Sequence, residues 1–365
     1  MINKVVFFYN YMDDRYDKRV KEFISQGYNV EVYAFMHLDD TEDKYSGYLI
    51  HPLKHYPQLP SYRQRIMEFT PTFRRIVKQY DPNATLFYFF SLNTAFTSLF
   101  CKNIKYIYEE SDMLFDRTDN KLLRWIIKRL NKHIIRKSSQ TVFTSEGFAT
   151  YYFGDAIPDN ITIIPNKVSP TCLNLPIYDR RPIDYNHIRF GFVGGARYMA
   201  LYTFAKNLIT LFPQHEFHFY GSVNAYTEEQ VKALESVGNI TFHGKFKAPV
   251  DFPAIYGNID FVVSTYDTTE INPRYAEPNK LYESMFFGVP IIVSSNSFLA
   301  DKVARLGIGF DVDPYNIDDI SKKIGAINPD SYEKYWNAVT QIPKQDSVNS
   351  NKEFFETIGK ISEIN

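Results

Sequence analysis

A chain of 365 residues that is 44% hydrophobic and 23% charged holds enough apolar material for two domain cores, which excludes a disordered protein. Its net charge of −1 excludes a global field that would draw it to nucleic acid. Its two cysteines, Cys101 and Cys172, lie far apart without CxxC spacing, which argues against a zinc site or disulfide framework and for a reduced, cytoplasmic setting.

The opening residues MINKVVFFYNYMDD have too short an apolar run for a signal peptide, and KVVFFYNY (4–11) reads as a buried strand. DKRVKEFISQGY (17–28) follows as an amphipathic helix ending at Gly27, and NVEVYAF (29–35) is the next strand. Strand, helix and strand at this spacing predict a βαβ unit and a parallel sheet. ATLFYFFS (84–91), IKYIYEES (104–111), QTVFTS (140–145) and ITIIPN (161–166) continue it, so residues 1–166 read as a first Rossmann-like α/β domain. The Pro-rich segment 167–186 has no clear period and reads as a linker. The pattern restarts with HIRFGFVGG (187–195), then EFHFYG (216–221), NITFHG (239–244), IDFVVST (259–265) and VPIIVSS (289–295), a second such domain over 187–340. SYEKYWNAV and NKEFFETIGKI supply closing helices, with 341–365 expected to pack near the domain junction. No run of about 18 apolar residues occurs, so no membrane span is expected.

Chemistry is expected where second-half strands end. In open parallel sheets, ligands bind beyond the carboxyl ends of the strands. GFVGGARY puts Gly194 and Gly195 between a strand and a helix, where backbone N–H groups can approach a phosphate and Arg197 can add a fork of donors. Plain turn glycines fit as well. The spacing is not GxGxxG and no acidic residue lies at ribose distance, so a dehydrogenase fits poorly. YAEPNKLYESMFFGVPIIVS (275–294) reads as a helix entered through Pro278, stopped by Gly288 and followed by a buried strand. Lys280 and Glu283 share one face of its first turns. On the residues alone, two readings stay open. One is a surface ion pair worth about 0.5 kcal/mol. The other is a cation and free N–H groups that meet a diphosphate, with a carboxylate one turn later accepting from a ribose diol.

PNKLYESMFFGVPIIVS resembles the nucleotide-sugar signature P-x-K-x-x-E…G-x-P of GT-B glycosyltransferases, close to the family-4-like group and to bacterial capsule and exopolysaccharide enzymes. FVGGARY resembles the glycine loop of the same domain, and FHGKF (242–246) the segment flanking the base. DDRYDKRVKEFISQGYNVEVYAF, YIYEESDM (106–113), VFTSEGF and IIPNKV resemble first-domain motifs, so the likeness runs along nearly the whole chain. It implies two Rossmann-like domains facing across a cleft, with the C-terminal helices closing back toward the first. It further implies that Glu283 binds ribose hydroxyls, that Lys280 lies near the phosphates or the sugar, that Arg197 and the glycine loop of Gly194 and Gly195 lie near the diphosphate, that Asn279 belongs to the donor site, and that Lys245 and Phe246 lie near the base. Two departures stand out. Tyr275 occupies the position, eight residues before Glu283, where a Glu is common, which leaves Glu270, Asn272, Arg274 and Glu277 beside it as donor-sugar candidates. Ser111 stands where a His is common, so Asp112, Glu110 or Glu109 is left as a general base for an acceptor hydroxyl. DVD (311–313) resembles a metal motif of the other glycosyltransferase fold but reads as a loop here, and no metal is expected.

Residues 1–165 hold 22 Lys+Arg against 19 Asp+Glu, giving +3, and the remaining 200 hold 19 against 23, giving −4. The basic run KLLRWIIKRLNKHIIRKSS (121–139) interleaves Leu, Ile and Trp with seven cations, and 62–80 has a similar mix. Each fits contact with an anionic bilayer or an ordinary packed helix. The expected function is sugar transfer from a nucleotide-diphosphate donor, UDP-linked, to a glycan or lipid-linked glycan in bacterial surface polysaccharide assembly. It would take place in the cytoplasm, up to the inner face of the membrane. A nucleotide-sugar epimerase of the same fold and a non-catalytic nucleotide- or glycan-binding homologue are the alternatives.

Overall fold

The computed structural model describes residues 2–11, 14–38, 45, 47–58, 60–113, 120–176 and 182–363. The chain forms two compact units, Met1–Ile164 with Ser350–Asn365, and Pro165–Asn349.

The first unit holds strands β1 (Lys4–Tyr9), β2 (Asn29–His37), β3 (Leu49–Tyr56), β4 (Thr85–Phe90), β5 (Lys105–Glu110), β6 (Gln140–Phe143) and β7 (Ile161–Ile163). They pair in parallel in the order β3-β2-β1-β4-β5-β6-β7. Every residue of β4, TLFYFF, is buried, as a strand covered on both faces requires. The core is largely aromatic: Phe7 stacks on Tyr88 at 4.8 Å and Phe8 on Phe89 at 5.1 Å. β3 is absent from the sequence reading because it is an edge strand carrying Pro52 with several exposed positions. The helix Lys352–Glu363 belongs to this unit. Phe354 and Ile358 are buried in its core, and Phe354 meets Phe23 edge-on at 5.9 Å.

The second unit holds β8 (Arg189–Val193), β9 (Glu216–Tyr220), β10 (Ile240–Gly244), β11 (Phe261–Ser264), β12 (Ile291–Ser294) and β13 (Gly309–Val312). Their order is β10-β9-β8-β11-β12-β13, again parallel. Strand order reverses between β1 and β4 in one sheet and between β8 and β11 in the other, the point where doubly wound sheets open a ligand crevice. DVD is not the expected loop. Asp311 and Val312 pair with Val293 and Ser294 of β12, and Lys323 Nζ lies 3.3 Å from Asp311. Gly309 admits that pairing, since a Cβ there would stand 1.8 Å from the Ile291 carbonyl oxygen. The segment read as a linker contributes packing to this unit: Val168 bridges Val348, and Cys172, within the short turn Pro170–Asn174, is buried in the core.

Candidate functional site

The helix Asn279–Phe287 follows β11 and precedes β12. Pro278 fixes its entry, no side chain caps its N-terminus, and Gly288 ends it in the left-handed region at φ +68°. The surface-pair reading fails on burial: Lys280 is 9% and Glu283 8% exposed. Lys280 Nζ stands 4.2 Å over the Phe192 ring and 3.3 Å from the Tyr266 hydroxyl. Among the described residues no carboxylate lies within ion-pair distance of it. A buried cation without a counter-ion is costly, and it sits at a helix start where orphan N–H groups already favour an anion.

Glu283 accepts a hydrogen bond from the buried Tyr256 hydroxyl. Burial raises the Glu283 pKa, while the Lys280 charge and the Tyr256 bond pull it back. Tyr256 is itself held by a parallel stack on Phe287 at 4.7 Å.

The glycine loop adjoins this pair. Gly194 has φ +128°, and a Cβ on it would stand 3.2 Å from Lys280 Nζ. Gly221, at φ +121°, ends β9 so close that its Cβ would meet the Gly194 carbonyl oxygen at 2.2 Å. Only glycine fits either position. The N–H groups of Gly194 and Ala196 are taken by the carbonyls of Tyr220 and Ser222, at 2.7 and 2.8 Å. Gly195 and Arg197 are exposed, and the Arg197 Nε lies 3.4 Å from where a Gly195 Cβ would be. Tyr198 meets Tyr266 edge-on at 5.1 Å. Ser294 pins the Tyr266 backbone from both sides, accepting from its N–H and donating to its carbonyl. Gly194, Phe192, Tyr266 and Lys280 thus converge at the β8/β11 switch point.

The remaining predicted donor residues spread around this centre. Asn279 and Lys245 are exposed. Phe246 packs on Phe252 at 5.8 Å, and Phe252 meets Tyr256 at 5.7 Å, so Phe246 belongs to the packing that carries the partner of Glu283. Glu270 and Arg274 are exposed, Tyr275 is half-buried, and the Arg274 guanidinium stands 5.9 Å over the Tyr275 ring. Glu277 is buried and committed to Lys302 Nζ at 2.6 Å and to the Tyr282 hydroxyl, so it anchors the helix entrance. Tyr256, Tyr266 and Ser294 were missed by sequence reasoning. Tyr266 stands just past the carboxyl end of β11, which could have marked it. Tyr256 lies 27 residues from Glu283 and carried no signal.

In the first unit β5 ends in three carboxylates with different surroundings. Glu109 is buried against Arg19 Nε at 3.1 Å and accepts from the Tyr88 hydroxyl. Glu110 is buried and accepts from Asn131 Nδ2 at 3.0 and 3.1 Å and from the Tyr152 hydroxyl at 3.2 Å. Burial pushes its pKa up to about 8; the bonds from Asn131, Tyr152 and Tyr108 restrain the rise, and the Asp112 charge adds to it. Asp112 is exposed beyond the strand end, beside the half-buried Ser111. Among the described residues no group of three or more His, Cys, Asp or Glu side chains converges as a metal site.

Residues 197–341 match the family model described as Glycosyl transferases group 1, a span that includes Arg197, Lys245, Lys280 and Glu283. No curated protein matches the chain. Solved structures match along its length. The apo lipopolysaccharide outer core galactosyltransferase WaaB gives a TM-score of 0.67 at 14% identity over 98% of this chain and 99% of that one. HepE of Anabaena, in complex with UDP and glucose, gives 0.64 at 16% identity over 100% of both chains. The UDP-GlcNAc 2-epimerase of Neisseria meningitidis, bound to UDP-GlcNAc, gives 0.60 at 13% identity over 98% and 100%. At these identities the likeness is one of fold. The chain has the GT-B fold, two parallel-sheet α/β domains.

Proposed function

We propose that the protein is a hexosyl-type, metal-independent glycosyltransferase. It would move a sugar from a UDP-linked donor to a glycan or lipid-linked glycan in bacterial surface polysaccharide assembly, as for capsule or exopolysaccharide. The observation that carries this reading is the buried Lys280, a cation with no carboxylate within ion-pair distance among the described residues, at an uncapped helix start against a glycine loop. A diphosphate supplies the missing charge. The Glu283 carboxylate accepts from the ribose diol, and Arg197 reaches the phosphates from the loop. As the glycosidic bond breaks, charge grows on the diphosphate oxygen, where Lys280 and the helix N–H groups stabilise it. Asp112, the exposed carboxylate of its strand end, takes the proton of the acceptor hydroxyl. Glu270, Arg274 and Tyr275 are proposed to read the donor sugar, and Lys245 with Phe246 the base. The WaaB and HepE structures support sugar transfer and a UDP-sugar donor by likeness of fold.

A thermal-shift screen of nucleotide sugars tests the binding step, because a ligand raises the melting point by mass action. UDP-linked sugars are expected to stabilise the protein and GDP-linked ones not to. Donor turnover in the absence of any acceptor would favour an epimerase, an activity found on the same fold.

A further inference from the structure

The helix Lys121–Lys137 is packed along only part of its length. Asn120 caps it through the Leu123 N–H at 3.1 Å, and Asn131, Ile134 and Ile135 are buried in its second half. In the first two turns Leu122 and Trp125 are 66% and 55% exposed, and Leu123 and Ile126 are exposed with them. Four large apolar side chains on one helix end form a patch rather than scattered surface residues. The same helix carries seven Lys and Arg and no Asp or Glu. Its outward face runs from Leu122, Trp125 and Ile126 onto Arg129, Arg136 and Lys137. The Arg129 guanidinium stands 5.0 Å over the Trp125 ring, at the junction of the apolar and basic halves. Lys121, Arg129 and Lys137 make no ion pair with a carboxylate among the described residues.

The helix Tyr62–Val77, similar in composition, differs in structure. It buries Phe69, Phe73, Ile76 and Val77, and Met67 is the one large apolar residue it exposes among those described. Apolar exposure and unpaired positive charge coincide on the first helix and not on the second.

We infer that the first two turns of the helix Lys121–Lys137 dock on an anionic lipid bilayer. Leu122, Leu123, Trp125 and Ile126 enter the acyl boundary, and Arg129 and Lys137 meet lipid phosphates. A protein partner of the same shape would need acidic side chains to match this face, whereas an anionic bilayer supplies both the apolar layer and the phosphate charge. No helix among the described residues is long and apolar enough to cross a membrane, so the contact lies in the interface plane. The helix lies on the crossover from β5 to β6, which puts its first turn at the carboxyl edge of the sheet. That edge carries Asp112. Docking therefore presents the proposed general base to the lipid surface and selects a lipid-linked acceptor over a free glycan. The choice of acceptor rests on the glycosyltransferase reading; the docking itself does not.

Flotation of the full chain with phosphatidylcholine vesicles, with and without phosphatidylglycerol, tests the docking without nucleotide. Binding is expected to the anionic vesicles only, and to weaken with salt. Replacing Arg129 and Lys137 by Gln should lower the partition coefficient about tenfold or more. Replacing Leu122, Trp125 and Ile126 by Ser should abolish it. UDP-induced thermal shift on the same variants should be unchanged, which separates loss of docking from loss of the donor site or of the fold. Trp336→Phe leaves Trp125 as the sole tryptophan. Its emission should shift to the blue on anionic vesicles and be quenched by brominated lipids, a readout that removes no docking residue. Absence of wild-type binding to anionic vesicles, an unquenched Trp125, or a concentration-dependent dimer lost with the Ser variant would each overturn the inference.

Discussion

At the end of β5 and at the start of the helix Asn279–Phe287 the two units bury charge in opposite ways. Glu109 is matched by Arg19, and Arg19 also meets Glu22 at 2.7 Å and lies 5.3 Å over the Phe354 ring. Burial works against the Arg19 charge, but Glu109, Tyr88 and Glu22 outweigh it and hold the guanidinium firmly protonated. Lys280 is as deeply placed and has an aromatic face and a hydroxyl but no carboxylate among the described residues. A network whose members satisfy one another holds the fold together. A buried charge left open implies a partner that arrives from outside. The difference teaches where to look for binding, and substitutions in each unit test it.

The largest effect is expected at Arg19. Arg19→Met leaves Glu109 buried without its cation and should lower stability by about 3–5 kcal/mol. Chemical denaturation would measure this, and UDP affinity should stay unchanged in protein that remains folded. A harmless substitution would remove the contrast between the two units.

Next comes Glu110, held neutral rather than paired. The folded pKa of about 8 exceeds the ordinary 4.5, so the native state keeps a proton that the unfolded chain has released. This contribution is fully present below pH 4.5 and is lost as pH rises toward 8. Linkage gives about 1.4 kcal/mol per pH unit inside that window, or about 3 kcal/mol by pH 7. Glu110→Gln mimics the neutral acid and should flatten that part of the stability–pH curve between pH 5 and 8. If the variant keeps the wild-type slope, Glu110 is not the group that titrates.

Lys280→Met should behave in the reverse manner to Arg19→Met. Removing a cation without a carboxylate in ion-pair distance among the described residues relieves its burial, while Glu283 loses the Lys280 charge and takes up a proton more readily. Melting should therefore change far less than in Arg19→Met, while affinity for UDP falls about 10–100-fold, the range of a hydrogen bond to a charged group. Calorimetry on the variant measures both. A destabilised protein with intact UDP affinity would mean that Lys280 serves the fold.

Fold and site were legible to different depths for physical reasons. Strands buried on both faces, such as VVFF, LFYFF and PIIV, announce themselves as unbroken apolar runs. β3 and β13 do not, because both are edge strands whose apolar run is broken, one by Pro52 and the other by Asp311. Lys280 and Glu283 were legible through Pro278 and Gly288, which frame their helix. Their burial was not legible, since it comes from Phe192, Tyr256 and Tyr266, which reach them only through the fold. The division between the helices Tyr62–Val77 and Lys121–Lys137 was hidden for the same reason. Periodicity marks an apolar face but does not say whether a neighbouring element covers it.

Tyr256 gives the smallest and finest test. Its hydroxyl is one of two influences that restrain the Glu283 pKa, the Lys280 charge being the other and the larger. Tyr256→Phe keeps the ring on Phe287 and deletes only the donor. Stability should fall by about 0.5–1.5 kcal/mol, the net worth of one hydrogen bond. If Glu283 holds the ribose diol as proposed, binding needs its carboxylate, and the affinity of UDP should fall as pH drops through the Glu283 pKa. Losing the Tyr256 bond lets that pKa rise, so the variant should weaken at a higher pH than the wild type and converge with it in alkaline solution. Calorimetric UDP titrations across pH resolve the two limbs. Limbs that coincide would mean that Tyr256 does not tune Glu283, and the second unit's site would then rest on Lys280 and the glycine loop alone.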